Sequence, residues 1–191
     1  MIMLYGVSAV GASIVQWYLE ELGQPYTFEH LDLQQGEQHQ EAFLQINPMG
    51  KVPAIVDGEF CLWESGAILL YLAEVYSPGG ETAQARAELA QWVIYANATL
   101  AVGLFVEANR QRDSARLLRC LDGVLGDGLR PAGGRREFLV NDCFSVADVA
   151  VGAILIYALK MLTGMCFHGY PSIEAYVSRL SNRPAFERSI G

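Results

Sequence analysis

Positive charge, paired cysteine and long apolar runs are all scarce in this 191-residue chain. Lys and Arg number 13 against 21 Asp and Glu, a formal net charge of −8. That balance excludes a nucleic-acid backbone as partner, because phosphate binding rests on clustered cations. The four cysteines, Cys61, Cys120, Cys143 and Cys166, include no Cys-x-x-Cys pair and no knuckle spacing. A zinc site or dithiol redox centre is thereby excluded, and the expectation for all four is a small buried hydrophobe. The longest apolar run, residues 149–159, has 11 residues and falls short of the ~20 that cross a bilayer. The start, Met1-Ile2-Met3-Leu4-Tyr5, lacks a basic region and a long apolar stretch, so no signal peptide is read. A soluble, reduced, cytoplasmic protein without metal or membrane partner is expected. Charged residues make up only 18% and hydrophobic ones 52%, which excludes a disordered chain.

Charge is unevenly distributed. Residues 1–85 hold one cation, Lys51, against eleven acids, whereas residues 110–136 hold seven arginines. This asymmetry marks two modules. In the first, the run Ile2 to Tyr5 ended by Gly6 reads as a buried strand, and Ile14, Trp17, Tyr18 and Leu22 keep helical spacing up to Gly23 and Pro25. Tyr26 to Leu33 alternates as a second strand. A short helix around Ala42 to Leu44 is broken by Asn47-Pro48-Met49-Gly50. Val52 to Val56 and Phe60 to Leu62 form a hairpin about Asp57-Gly58. A helix from Glu64 carries Ala67, Ile68, Tyr71, Leu72 and Val75 and stops at Ser77-Pro78-Gly79-Gly80. The order β-α-β-α-β-β-α is that of a small α/β domain over residues 1–77, with 78–82 a linker.

Residues 83–191 read as all-helical. Leu89, Trp92, Val93, Ala96, Leu100 and Leu104 mark one long helix, and Leu117, Leu118, Leu121 and Leu125 a second, joined through residues 109–113. After a Pro- and Gly-containing loop, Phe144-Ser145-Val146-Ala147-Asp148-Val149 is a capping box with a hydrophobic staple, opening a buried helix to Leu159. The arginines of 110–136 coat a helix face or, in part, assist a substrate.

The segment Ile46-Asn47-Pro48-Met49-Gly50-Lys51-Val52-Pro53-Ala54-Ile55-Val56-Asp57-Gly58, followed by Leu62-Trp63-Glu64-Ser65-Gly66-Ala67-Ile68, closely resembles the glutathione-binding half of the glutathione S-transferase family. The capping box resembles that family's helical-domain signature. The resemblance implies a thioredoxin-like N-terminal domain, an all-α C-terminal domain, glutathione as co-substrate and a homodimer. It implies a cis bond before Pro53, with the Val52 N–H and C=O pairing with the cysteinyl part of the ligand. Ser65, in the first turn of a helix where free N–H groups and the dipole favour an anion, would hold the γ-glutamyl carboxylate. Glu64 would take the ligand's ammonium, and Lys51 a carboxylate. Gln38 and His39 fall where relatives place a donor for the glycyl carboxylate.

The thiol-activating group departs from the pattern. A transferase keeps the glutathione thiol as thiolate, the nucleophile, and relatives do so with a Tyr, Ser or Cys after the first strand. The position of the catalytic Ser in theta-like members falls on Ala9. Ser8 beside it, Tyr5 at the strand end and the backbone N–H groups of residues 10–12 are the three candidates. Without Cys in residues 5–12, glutaredoxin chemistry and the cysteine-type transferases are excluded. Trp92, Tyr95 and Phe105 are expected to line a pocket for a small apolar electrophile. The resulting reading is conjugation of glutathione to such electrophiles, with peroxide reduction as a side activity. The alternatives are a glutathione-dependent isomerase or disulfide reductase, and a non-catalytic binding or regulatory protein.

Overall fold

A computed structural model describes residues 1–7, 12–77, 82–126 and 136–190, with only the backbone for Ala12 and Ser13. The chain divides into two units, Met1–Gly79 with Pro184–Gly191, and Gly80–Arg183.

In the first unit, β1 (Ile2–Gly6), β2 (Tyr26–His30), β3 (Ala54–Asp57) and β4 (Phe60–Trp63) form one sheet in the order β2-β1-β3-β4. β1 pairs parallel with β2 and antiparallel with β3, and β3 antiparallel with β4. The parallel pair requires a crossover, which α1 (Ala12–Leu22) supplies. Alternation along β1 sends Ile2 and Leu4 to a fully buried face. There they meet Ile55, with Val15, Trp17 and Leu19 of α1 and Ile68, Leu69 and Leu72 of α3 (Ser65–Tyr76) completing the core. Burying each such side chain contributes about 1.5–3 kcal/mol. Met3 and Tyr5 face the other way, where α2 (Glu41–Leu44) brings Phe43. The final residues also belong here: Phe186 lies edge-on to Trp17 at 5.2 Å, and Arg188 pairs with Glu20 at 2.7 Å.

The second unit is helical: α4 (Ala83–Ile94), a π-helical turn (Tyr95–Leu100), α5 (Ala101–Phe105), α6 (Glu107–Leu125), α7 (Val146–Met161) and α8 (Pro171–Ser181), followed in the chain by α9 (Pro184–Glu187) of the first unit. α4, the π turn and α5 form one rod, and the chain bends 117° before α6. α7 is buried along most of its length because nearly every residue is apolar. The Ser145–Asp148 capping box is present, and Asp148, fully buried, also accepts from the Leu139 N–H and the Tyr176 hydroxyl, each at 2.9 Å. Among the described residues no single helix is long and apolar enough to cross a membrane.

Three expectations are corrected. β2 ends at His30 rather than Leu33, because the Asp32 carboxylate accepts the Gln34 and Gln35 N–H groups at 2.9 and 3.1 Å and starts a turn. The first two long helices are joined at Val106 alone, with extended backbone, and residues 109–113 are inside α6. All four cysteines are exposed rather than buried. Cys61 sits on the edge strand β4, Cys120 outside the Leu117–Leu118–Leu121 stripe of α6, and Cys143 and Cys166 in connecting segments. Position in the pattern overrides the residue's preference for the interior.

Candidate active site

Three segments end at one edge of the sheet. β1 and β2 run parallel and both finish there, at Gly6 and His30. β3 starts there, since Ala54 pairs with Tyr5, and β4 finishes there, since Trp63 pairs with Ala54. The carboxyl ends of parallel strands are the usual ligand-binding edge of an α/β sheet. The register places Val52-Pro53 and Glu64-Ser65 just beyond the last pair of the β3–β4 ladder, side by side in the antiparallel hairpin.

Each segment has a distinct local cause. The Val52–Pro53 peptide bond is cis. Among the described residues neither the Val52 N–H nor its C=O forms a hydrogen bond. Glu64 adopts φ 69° and ψ 116° immediately before α3, a conformation that a residue with a side chain rarely takes. Such outliers cost about 1–3 kcal/mol and cluster at ligand sites. Ser65 is the first residue of α3, at the positive end of the helix. Lys51 is exposed and forms no salt bridge among the described residues.

The loop before the cis bond is built by Asn47. Its side chain is 1% exposed; Nδ2 donates to the Lys51 carbonyl at 2.6 Å and Oδ1 accepts the Met49 N–H at 2.9 Å. The Gly50 N–H returns to the Asn47 carbonyl at 3.0 Å. Gly50 has φ +59°, and a Cβ there would sit 2.8 Å from His39 Nδ1, so His39 is pressed against this loop. Gln38 is half-buried beside it, donating weakly to the Leu33 carbonyl at 3.4 Å while its Oε1 is buried without a partner. The sequence marked Asn47 only as a helix breaker; the signal of its larger role was its place before Pro48, where an Asx turn is favoured. The positive φ of Glu64 had no sequence signal.

The thiol-activating candidates separate. Ser8 lies outside the described residues, as do Ala9, Val10 and Gly11; Ala12 opens α1. The Tyr5 ring packs on Phe43 with centroids 5.8 Å apart, and its hydroxyl reaches the Met3 sulfur at 3.9 Å. Burial foremost, then the charges of Glu29 and Cys61, push the Tyr5 phenol above its ordinary pKa. Of the expected electrophile-pocket residues, Trp92 and Tyr95 meet edge to face at 5.5 Å. Burial, followed by the charge of Cys120 on α6, pushes the Tyr95 phenol up. Phe105 lies at the end of α5, half-buried.

Residues 2–74 match the glutathione S-transferase N-terminal domain, and residues 85–188 match a glutathione S-transferase C-terminal domain. The chain is 31% identical to glutathione S-transferase GstB of Escherichia coli, covering 100% of this chain and 98% of that one.

The chain belongs to the glutathione S-transferase family.

Glutathione S-transferase F7 of Arabidopsis thaliana is 27% identical, with 89% of each chain covered. The crystal structure of a glutathione transferase from Burkholderia graminis, with two glutathione molecules bound per subunit, superposes with a TM-score of 0.83 at 25% identity, covering 99% of this chain and 87% of that one. The expected fold, a thioredoxin-like N-terminal α/β domain with a four-stranded sheet and a helical C-terminal domain, is that of the glutathione S-transferases. Like them, the chain is a transferase.

Proposed function

We propose that this glutathione S-transferase binds glutathione at the sheet edge formed by Lys51, Val52, Pro53, Glu64 and Ser65, with His39 and Gln38 at its margin. The carrying observation is the register that brings the cis Val52–Pro53 bond alongside Glu64 and the first turn of α3. Glutathione is an extended peptide with two carboxylates and one ammonium. The unpaired Val52 N–H and C=O suit its cysteinyl backbone as an added strand. The N–H groups at the start of α3 and the Ser65 hydroxyl suit its γ-glutamyl carboxylate, Glu64 its ammonium, and Lys51 its other carboxylate.

Held this way, the thiol would point toward the end of β1. Its proton leaves to solvent, and the thiolate is stabilised by Ser8, by Tyr5 or by the backbone amides of residues 10–12. The thiolate attacks the electrophilic carbon; a C–S bond forms and, with an aryl halide, the C–halogen bond breaks and halide leaves. With a hydroperoxide, two glutathiones give the disulfide, alcohol and water. Among the thiol candidates, the raised pKa of Tyr5 and its contact with Met3 favour Ser8 or the amides, since a weaker acid is a weaker donor to sulfur. Residues 1–77 supply glutathione binding. The expected helical domain, residues 83–191 less the terminal segment 184–191 that belongs to the first unit, supplies the site of the small apolar electrophile, with 78–82 the linker. A cytoplasmic homodimer is the expected working form.

Initial rates of glutathione addition to a chloronitrobenzene test this reading. Saturable turnover in both substrates is expected, and Ser8→Ala then separates side chain from backbone activation: an unchanged thiolate absorbance leaves the amides. Binding of glutathione without turnover of aryl halide or hydroperoxide would overturn the catalytic reading.

A further inference from the structure

Of the chain's five methionines and four cysteines, Met161, Met165 and Cys166 fall within the short segment 161–166. All three line one cavity of about 550 Å³ in the helical unit, together with Arg110 and Ser114 near the start of α6. No residue assigned to glutathione or to the electrophile borders this cavity.

Local turn chemistry gathers the sulfurs. Met161 is the last residue of α7, and the Leu162 N–H closes that helix on the Ala158 carbonyl at 3.0 Å. The Met165 N–H then returns to the Leu162 carbonyl at 3.0 Å, with Gly164 at φ +78°, the positive φ that the third residue of a type II turn requires. The chain thus reverses between the two thioethers. Phe167, 3% exposed, anchors the far side of the segment. The methionines are therefore spared from filling the core: Met161 is 55% exposed, Met165 is half-buried, and Cys166 is exposed. Their flexible side chains leave each sulfur free to turn toward the cavity.

Among the described residues no three of His, Cys, Asp and Glu gather at one point, so harder cations find no donor set. Thiolate and thioether sulfur select Cu(I) instead. Arg110 adds a selection by charge. Its Nη1 donates to the Leu104 carbonyl at 3.0 Å, and among the described residues no carboxylate pairs with it. A thiolate and a monovalent ion sum to zero beside that guanidinium, whereas a divalent ion leaves one positive charge facing another. We propose that Met161, Met165 and Cys166 form a site for Cu(I), with one thiolate and two thioethers as ligands, separate from the transferase chemistry. On binding, the Cys166 thiol proton leaves to solvent and a Cu–S bond forms as the ion leaves its previous ligand. No electron moves, and copper stays monovalent.

The test is anaerobic titration of the full chain with Cu(I) supplied as its ferrozine complex, with ascorbate present and glutathione absent. Cys61→Ser, Cys120→Ser and Cys143→Ser together remove the other exposed thiols. Loss of the complex's absorbance should report one Cu(I) per chain, which an equal amount of Zn(II) does not displace. Met161→Leu and Met165→Leu, which keep volume and apolar character, should each weaken Cu(I) at least about tenfold, the lower end of what loss of even an outer-shell partner costs a metal site. A second measurement uses the unsubstituted chain, so that the proposal stays falsifiable if the triple variant unfolds. With Ag(I) as a redox-inert probe and carbon-13 methyl-labelled methionine, the Met161 and Met165 signals should shift ahead of those of Met1, Met3 and Met49. No uptake from ferrozine, displacement by Zn(II), leucine variants of unchanged affinity, or unshifted Met161 and Met165 signals would each overturn the proposal.

Discussion

Replacing Asp148 by Ala strips the helical unit of its most densely used polar group. Its carboxylate accepts from the Leu139 N–H and the Tyr176 hydroxyl at 2.9 Å each, and from the Ser145 N–H and hydroxyl at 2.9 and 3.1 Å. Asp148 and Tyr176 are both fully buried, so the Leu139 and Tyr176 donors would be left without partners where water does not reach. Each such donor costs about 1–3 kcal/mol, and the lost cap about 1 kcal/mol more. Relief of the buried charge offsets part of this, which gives a loss of about 4 kcal/mol. Asn keeps one acceptor and should lose about 2 kcal/mol. Burial is the main cause pushing the Asp148 carboxyl above its ordinary pKa, against the hydrogen bonds that lower it. A raised folded pKa means that the folded state holds the proton more tightly. This contribution is fully present below the unfolded value of 3.8 and is lost as pH rises through the folded one. The penalty of Asp148→Asn should therefore be larger in acid than at neutral pH. Urea unfolding followed by fluorescence and circular dichroism, at both pH values, measures these quantities. An Ala variant within about 1 kcal/mol of the parent, or a penalty that grows toward neutral pH, would refute the reasoning.

Other outcomes follow from single contacts. Asn47→Ala removes the bonds to Lys51 and Met49 that shape the loop before Pro53; the KM for glutathione should rise about tenfold with kcat within about twofold, the signature of lost uniform binding, read by steady-state kinetics. With all four cysteines exposed, a chromogenic aryl disulfide should titrate four thiols in the native protein as fast as in the unfolded one; fewer than four would contradict the exposure. The Tyr76 hydroxyl donates to Asp57, which foremost pushes its phenol up to about 12. Asp57→Asn should return it toward 10.0 in an alkaline absorbance titration compared with Tyr76→Phe. The stability that this raised value provides is present below 10.0 and is lost as pH rises through about 12.

Most of the first unit was legible because its signals are local. The continuous apolar run Ile2 to Tyr5 ended by Gly6 names a strand, the 3.6-residue period of Ile14 to Leu22 a helix, and Asp57-Gly58 a hairpin. The register did not follow from that signal: Asp57 pairs with Phe60, so the turn residues are Gly58 and Glu59, and this pairing sets Pro53 beside Glu64. The capping box at Ser145 and Asp148 was equally plain, but its links to Leu139 and Tyr176 join residues 9 and 28 positions away, which no local pattern encodes. α8 had legible signals in Pro171 at its start and in Ile173, Tyr176, Val177 and Leu180 at helical spacing. The return of Phe186 to Trp17 is a long-range packing choice without a sequence signature. The arginines of 110–136 read as one cluster, yet Arg112 and Arg116 are exposed on α6 while Arg136 lines a cavity. Charge composition cannot separate a solvated guanidinium from a half-buried one, because the distinction depends on which backbone closes over it.

Calorimetric titration of the full chain with reduced glutathione, alongside Ser65→Ala, tests the central claim most directly. The account predicts one saturable site at millimolar glutathione or below, weakened about tenfold in the variant by loss of a hydrogen bond to a charged group. Absence of heat at millimolar glutathione, or equal affinity of the two proteins, would contradict it.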